Sequence, residues 1–147
     1  MAQLNLTIKS DYVDWSTWEA LRELIQNAKD AEEAEGAPMD IDYYPRTERL
    51  EITNSGTTMG RDRLVLGSTT KRRDNRQRGE FGEGFKLAFA SLLRLGKEIE
   101  MDVGEERWRP EIGHSEEFDN ERLLKVHARK LRKPRDHVRV VVRGITE

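Results

Sequence analysis

Cysteine is absent from this chain of 147 residues. That excludes a disulfide framework and a thiolate metal site, and it points to a reducing compartment, the cytoplasm. Long apolar runs are missing as well: nothing approaches the roughly 20 residues of a membrane span, and the start, MAQLNLTIKS, has no apolar h-region. A soluble intracellular protein without a membrane partner is expected. There is no internal repeat, low-complexity tract or linker, so residues 1–147 are expected to form one domain. A chain of that length buries roughly two thirds of the surface it exposes when unfolded.

A large net charge is also lacking, but the formal value of −2 conceals two blocks. Residues 98–121 hold ten acids against Arg107 and Arg109, a local charge of −8, and residues 122–143 hold nine Lys and Arg against Asp136, a local charge of +8. As neighbouring strands the two would neutralise each other. A shorter basic run, Lys71, Arg72, Arg73, Arg76 and Arg78, falls within residues 68–79, which contain no apolar side chain. That stretch is expected to be an exposed, mobile loop, where a solvated face is a commoner role for such charges than polyanion binding.

What is present centres on ELIQNAKDA, residues 23–31. At about 100° per residue, Leu21, Leu24, Ile25, Ala28 and Ala31 gather on one side of a helix while Glu23, Asn27 and Asp30 line another. The apolar side can be buried against a sheet. The polar side carries a carboxylate, an amide and a second carboxylate, the groups needed to activate a water, ligate a hard cation and accept a hydrogen bond. Alone the pattern is weak, because most amphipathic helices carry acids on a solvated face.

Around it the periodicity predicts a half-buried strand at 3–9 and a helix capped by Asp14 or Ser16 that runs to about Glu35 and stops at Gly36 and Pro38. Trp15 and Trp18 read as packing anchors. Two short strands at 39–44 and 49–53 follow, then a turn-rich loop at 54–60 and a short helix at 62–66. Six of the eleven glycines fall between Gly56 and Gly84, a crowding better explained by backbone lying close to a ligand than by ordinary turns. GEFGEGFK at 79–86 opens onto Phe85, Leu87, Ala88, Phe89, Leu92, Leu93 and Leu95 at helical spacing, with Gly96 as the stop. A glycine loop leading into a buried helix gathers free N–H groups and the positive end of the helix dipole, a place that binds phosphate. The last third alternates as antiparallel strands through Ile99, Met101, Val103, Trp108, Ile112, Leu124, Val126, Ala128, Val138, Val140 and Val142. The fold class expected is α+β: a two-layer sandwich with a mixed, mostly antiparallel sheet and its helices on one face.

Three stretches in this order, ELIQNAKDA (23–31), ITNSGTTMG (52–60) and GEFGEGFKLAF (79–89), resemble the motifs of the GHKL ATP-binding domains, the Bergerat fold shared by DNA gyrase, the ninety-kilodalton heat-shock chaperones, sensor histidine kinases and MutL-type repair proteins. The resemblance covers nearly the whole chain. It implies ATP and Mg²⁺ as ligands and 68–79 as a nucleotide lid. It makes Glu23 the general base for attack on the γ-phosphate, Asn27 the Mg²⁺ ligand and Asp30 a stabilising acid. Gly56, Thr58 and Met59 fall in the second motif, near the base. Gly79, Gly82 and Gly84, with Glu83 and Phe85 between and beside them, wrap the β- and γ-phosphates, and Lys86 adds a positive charge there. A glutamate at position 23 favours the hydrolysing branches over the histidine kinases.

The chain departs from the family in three places. Asn54 replaces the aspartate that accepts from the adenine amino group, exchanging a charged hydrogen bond of about 1.5–3 kcal/mol for a neutral one of about 1 kcal/mol. Thr58 stands where a second glycine is usual, and residues 133–136 offer no Gly-Thr pair. In the gyrase and mismatch-repair branches a lysine from a following domain reaches the γ-phosphate, so here either another protein or a further C-terminal region is expected to supply that charge, or hydrolysis is slow. The resemblance therefore implies slow, Mg²⁺-dependent ATP hydrolysis coupled to lid closure and to control of a homodimer or partner protein. Alternatives are a nucleotide-gated or nucleotide-free interaction module on the same fold, favoured by Asn54 and Thr58, and a nucleic-acid binder using the basic strands near 129–135.

Overall fold

The computed structural model describes residues 2–9, 15–61, 81–115 and 121–146. The expected helix at 62–66, the polar loop at 68–79 and Gly79 lie outside those residues.

Helix α1, Thr17–Glu35, starts where its sequence supplies a reciprocal cap. Ser16 Oγ accepts from the Glu19 N–H at 3.2 Å, and the Glu19 carboxylate accepts from the Ser16 N–H at 2.9 Å. Donation from that backbone N–H, then from the Ser16 side chain, holds the Glu19 carboxyl below its ordinary range. The helix ends at Gly36, whose φ of 68° only glycine adopts freely and whose N–H closes on the Glu32 carbonyl at 3.0 Å. Ser16, not Asp14, is the cap.

Strands β1 (Ala2–Lys9), β2 (Met39–Tyr44), β3 (Arg49–Ser55), β4 (Glu98–Asp102), β5 (Glu106–Ser115), β6 (Glu121–Lys130) and β7 (His137–Arg143) form one sheet in the order β1-β6-β5-β4-β7-β3-β2. Every described pairing is antiparallel, so the sheet is not mixed as expected. Three hairpins, β2–β3, β4–β5 and β5–β6, set most of that, and β7 returns between β3 and β4 in the opposite direction to both. Helix α2, Phe81–Arg94, lies beside α1, and the two form the second layer. Gly82 and Gly84 sit inside the first turn of α2 rather than in a loop before it. The free donors are not lost by this, because the first four N–H groups of any helix lack a partner within it.

The core between the layers follows from the strand period of two. Leu50 and Ile52 of β3 and Val138, Val140 and Val142 of β7 point under the helices, where they meet Leu21, Leu24 and Ala28 of α1 and Phe85, Ala88, Phe89 and Leu92 of α2. Trp108 is fully buried. The alternate residues carry the opposite charges of the two blocks onto the outer face. There Arg143 lies 3.8 Å from Glu100 and His127 lies 3.0 Å from Glu111, each pair joining an acidic strand to a basic neighbour. Such exposed pairs contribute little individually, about 0–1 kcal/mol, so the hydrophobic layer carries the fold. No described helix is long and apolar enough to cross a membrane.

Candidate functional site

A cavity opens between α1, Phe85 of α2 and the floor made by β3, β4 and β7. Along α1 its wall is Leu24, Asn27, Ala28, Ala31 and Glu35, and the turn after β3, Thr57 to Met59, closes the far side. About 50 Å³ is free inside it. That is smaller than the roughly 150 Å³ of an engineered cavity that admits benzene, so a planar base fits only if the Thr57–Met59 wall moves outward.

Asn54 is the polar group of the floor. It follows Leu50 and Ile52 on the inward face of β3 and is 5% exposed. A buried amide requires partners for its donors. Its Nδ2 donates to the Ala28 carbonyl of α1 at 2.9 Å and to the Ala37 carbonyl just beyond that helix at 3.1 Å. Two carbonyl acceptors settle which end of the amide is the NH₂. Asn54 thus clamps α1 to the sheet, and only Oδ1 is left to accept from a ligand. A carboxylate here would face the same two carbonyls with no donor, which gives a physical reason for asparagine in place of aspartate.

Around Asn54 the second motif is tied down by backbone. Gly56 takes a φ of 77° and donates its N–H to the Asp136 carbonyl at 2.7 Å. Thr57 Oγ1 donates to Glu35 Oε1 at 2.6 Å, and the Met59 N–H donates to the Val103 carbonyl at 3.1 Å. Thr58 rests its Cβ and Cγ2 on Gly104, at whose position a side chain would collide with them. Just beyond, Arg61 grips Glu106 through Nε at 3.0 and 3.1 Å, and Trp108 Nε1 donates to the same carboxylate at 3.1 Å. These bonds, Arg61's first, hold the Glu106 carboxyl below its ordinary range.

The opposite end of the site is the junction of the first and third motifs. A Cβ on Gly84 would overlap the carboxylate of Glu23, with Cδ only 2.7 Å away. The carboxylate therefore occupies the space that the missing side chain leaves, against the first turn of α2, where the helix dipole favours a negative charge. One turn along α1, Asn27 reaches the cavity with its Nδ2 buried and without a partner. The amide can rotate about its last bond, so this end offers donors to an anion or an oxygen to a cation. Phe85 is buried, lines the cavity and packs edge-on against Phe89 with centroids 5.3 Å apart. Only backbone is described for Gly82 and Glu83.

Of the expected site residues, Glu23, Asp30, Gly56, Gly84 and Lys86 do not line the cavity, and Glu23 lines a separate cleft with Trp15, Glu19, Arg22 and Gln26 instead. Asp30 accepts from Gln26 Nε2 at 3.0 Å and forms no part of the wall. On the helix it lies about 60° from Asn27 in one sense, whereas Ala31 and Glu35 lie about 40° and 80° from Asn27 in the other and do line the wall. Lys86 is 3% exposed and also absent from the wall. It sits about 200° around α2 from Gly84, on the other side of the helix. Glu35 and Thr57, joined across the rim, were missed, although the i, i+4, i+8 spacing from Asn27 pointed to Glu35. Among the described residues no three His, Cys, Asp or Glu side chains could together hold a metal ion. A cation at Asn27 would therefore draw its other ligands from phosphate and water, as Mg²⁺ commonly does. Comparison of the chain with protein-family models and with curated proteins gave no match.

Proposed function

We propose that this chain is a GHKL-type ATP-binding domain of the cytoplasm that hydrolyses ATP slowly with Mg²⁺ and uses its nucleotide state to control a homodimer or partner. The observation that carries the reading is the α1–α2 junction: the Glu23 carboxylate fills the gap over Gly84, and one turn along α1 the partnerless end of Asn27 reaches the cavity. Bound ATP·Mg²⁺ would supply the phosphoanhydride and the charge that neutralises it. Glu23 would take a proton from a water held at the start of α2. The free N–H groups of that turn would bind phosphate oxygens. Asn27 would place its amide oxygen on the cation, and Asn54 Oδ1 would accept from the base once the Thr57–Met59 wall has moved.

Calorimetric titration with ATP, with and without Mg²⁺, tests this. Glu23→Ala is expected to bind as wild type and lose turnover by about 10²–10⁴-fold, the usual worth of a general base. Asn27→Ala is expected to bind without regard to Mg²⁺. Absence of nucleotide heat from wild type would end the reading. The consumed donors of Asn54 and the narrow cavity favour a second one, a non-hydrolysing interaction module, for which nucleotide binding without any Glu23-dependent turnover is the signature.

A further inference from the structure

The connection from β6 to β7 presents Arg129, Lys130, Arg132, Lys133 and Arg135, all exposed. None of the five forms an ion pair with a described residue. Arg129 faces Arg107 across the β5–β6 register, and Arg107 is already bound to Asp102 at 2.7 Å. Of the acids nearby, Glu106 is taken by Arg61, which leaves Glu105 and Asp136 against five cations, a local charge of +3.

This loop is anchored. The Leu131 N–H donates to the Glu105 carbonyl at 2.8 Å, the Arg135 N–H to the Gly104 carbonyl at 3.1 Å, and the Gly56 N–H to the Asp136 carbonyl at 2.7 Å. The cations therefore stand on fixed backbone, and binding costs mainly side-chain freedom. Lys130 and Arg135 also flank an open cleft of about 840 Å³.

We propose that this loop is a surface for the phosphate backbone of double-stranded nucleic acid, bound without regard to sequence. A membrane surface is disfavoured because residues 129–136 hold no aromatic side chain, and their one large apolar residue, Leu131, is half-buried. A protein partner would call for an apolar centre, which the patch lacks. Single strands would call for stacking platforms, which are lacking too. A row of phosphates needs only charge.

Fluorescence anisotropy with a labelled DNA duplex, titrated across sodium chloride, tests it on the full chain. Each phosphate neutralised contributes about −0.9 to the slope of log K against log salt, so three to five contacts give roughly −2.7 to −4.5. Arg132→Glu with Lys133→Glu is expected to weaken binding at least tenfold at low salt and to flatten the slope by about 1.8. The matched pair Lys29→Glu with Arg46→Glu, also exposed and distant in the sequence, is expected to stay within twofold. Melting followed by circular dichroism verifies that both variants keep the wild-type fold, and Arg132→Gln with Lys133→Gln, which removes the same two contacts without adding negative charge, is expected to flatten the slope by the same amount, about 1.8, with a smaller loss of affinity. Wild type without salt-dependent DNA binding, equal loss in the control pair, or displacement of the DNA by polyglutamate or phosphatidylserine vesicles at equal charge would each overturn the proposal.

Discussion

At Gly84 an added Cβ would overlap the carboxylate end of Glu23, whereas at Gly104 it would overlap Cβ and Cγ2 of Thr58. The first obstacle is the tip of a flexible side chain and can swing away. The second is a short β-branched side chain fixed to a loop that is itself held by the Met59 N–H on Val103. Gly84 also has helical backbone, while Gly104 has a φ of 103°, a conformation strained for any other residue. The two contacts thus differ in kind. Around Thr58 and Gly104 packing and hydrogen bonds tolerate little, whereas at Gly84 the obstacle is the tip of one side chain.

The largest effect expected on stability is that of Asn54→Asp. It would face the Ala28 and Ala37 carbonyls with a charge and no donor, costing about 3–5 kcal/mol by analogy with buried charges stripped of a partner. Burial and the two carbonyls would raise the pKa of the new carboxyl, so the deficit should be greatest at neutral pH and shrink as pH falls and the group gains a proton able to donate. Urea unfolding at two pH values measures both. A cost below 1 kcal/mol at pH 7 would mean that Asn54 is not a clamp.

Gly104→Ala comes next, at about 3 kcal/mol from strained backbone together with overpacking. Pairing it with Thr58→Gly should recover the overpacking part and not the strain, so a double-mutant cycle by thermal unfolding separates them. Full recovery would contradict the backbone account.

A smaller effect is expected where Arg61 fastens the same loop to β5. Glu106 has a depressed pKa, so its contribution is present above the unfolded value of about 4.3 and is lost as pH falls through the lower folded value. Glu106→Gln should cost about 1 kcal/mol at pH 7, since the guanidinium is partly exposed. The gap between wild type and variant should close below about pH 4. A gap that persists in acid would assign the loss to packing against Trp108 instead.

These features were unequally legible in the sequence. Helix α1, its stop at Gly36, helix α2 and the buried strands followed from periodicity, because hydrophobic spacing is a local record of what faces the core. The Asn54 clamp left no such record: its partners are backbone carbonyls 26 and 17 residues away, and every residue type has a carbonyl. Asp30 was misplaced because a helical wheel of short acids does not say which 60° sector meets the sheet. The position of Asn27 and Glu35 along one wall decided that only once β3 and β7 had been set beneath α1. Position 84 was legible as a place of close approach, yet the approaching group is Glu23 of the first motif, and that contact exists only because the two helices pack side by side.

Gly84→Ala is expected to have the smallest effect on stability and for that reason tells the most about the site. Alanine is favoured over glycine in a helix by up to about 1 kcal/mol, and moving the tip of Glu23 costs a comparable amount, so the melting temperature should barely change. The displaced carboxylate no longer rests against the first turn of α2, and a shift of about 1 Å in a catalytic group can lower turnover by roughly 10²-fold. ATP affinity measured by calorimetry should fall far less, because the first-turn N–H groups remain. Glu23→Ala in the Gly84→Ala background should then add almost nothing to the loss, since both changes remove the same placed carboxylate. If the two losses multiply instead, Glu23 acts from a position other than the gap over Gly84, and the proposed contact with phosphate at the start of α2 has to be given to different residues.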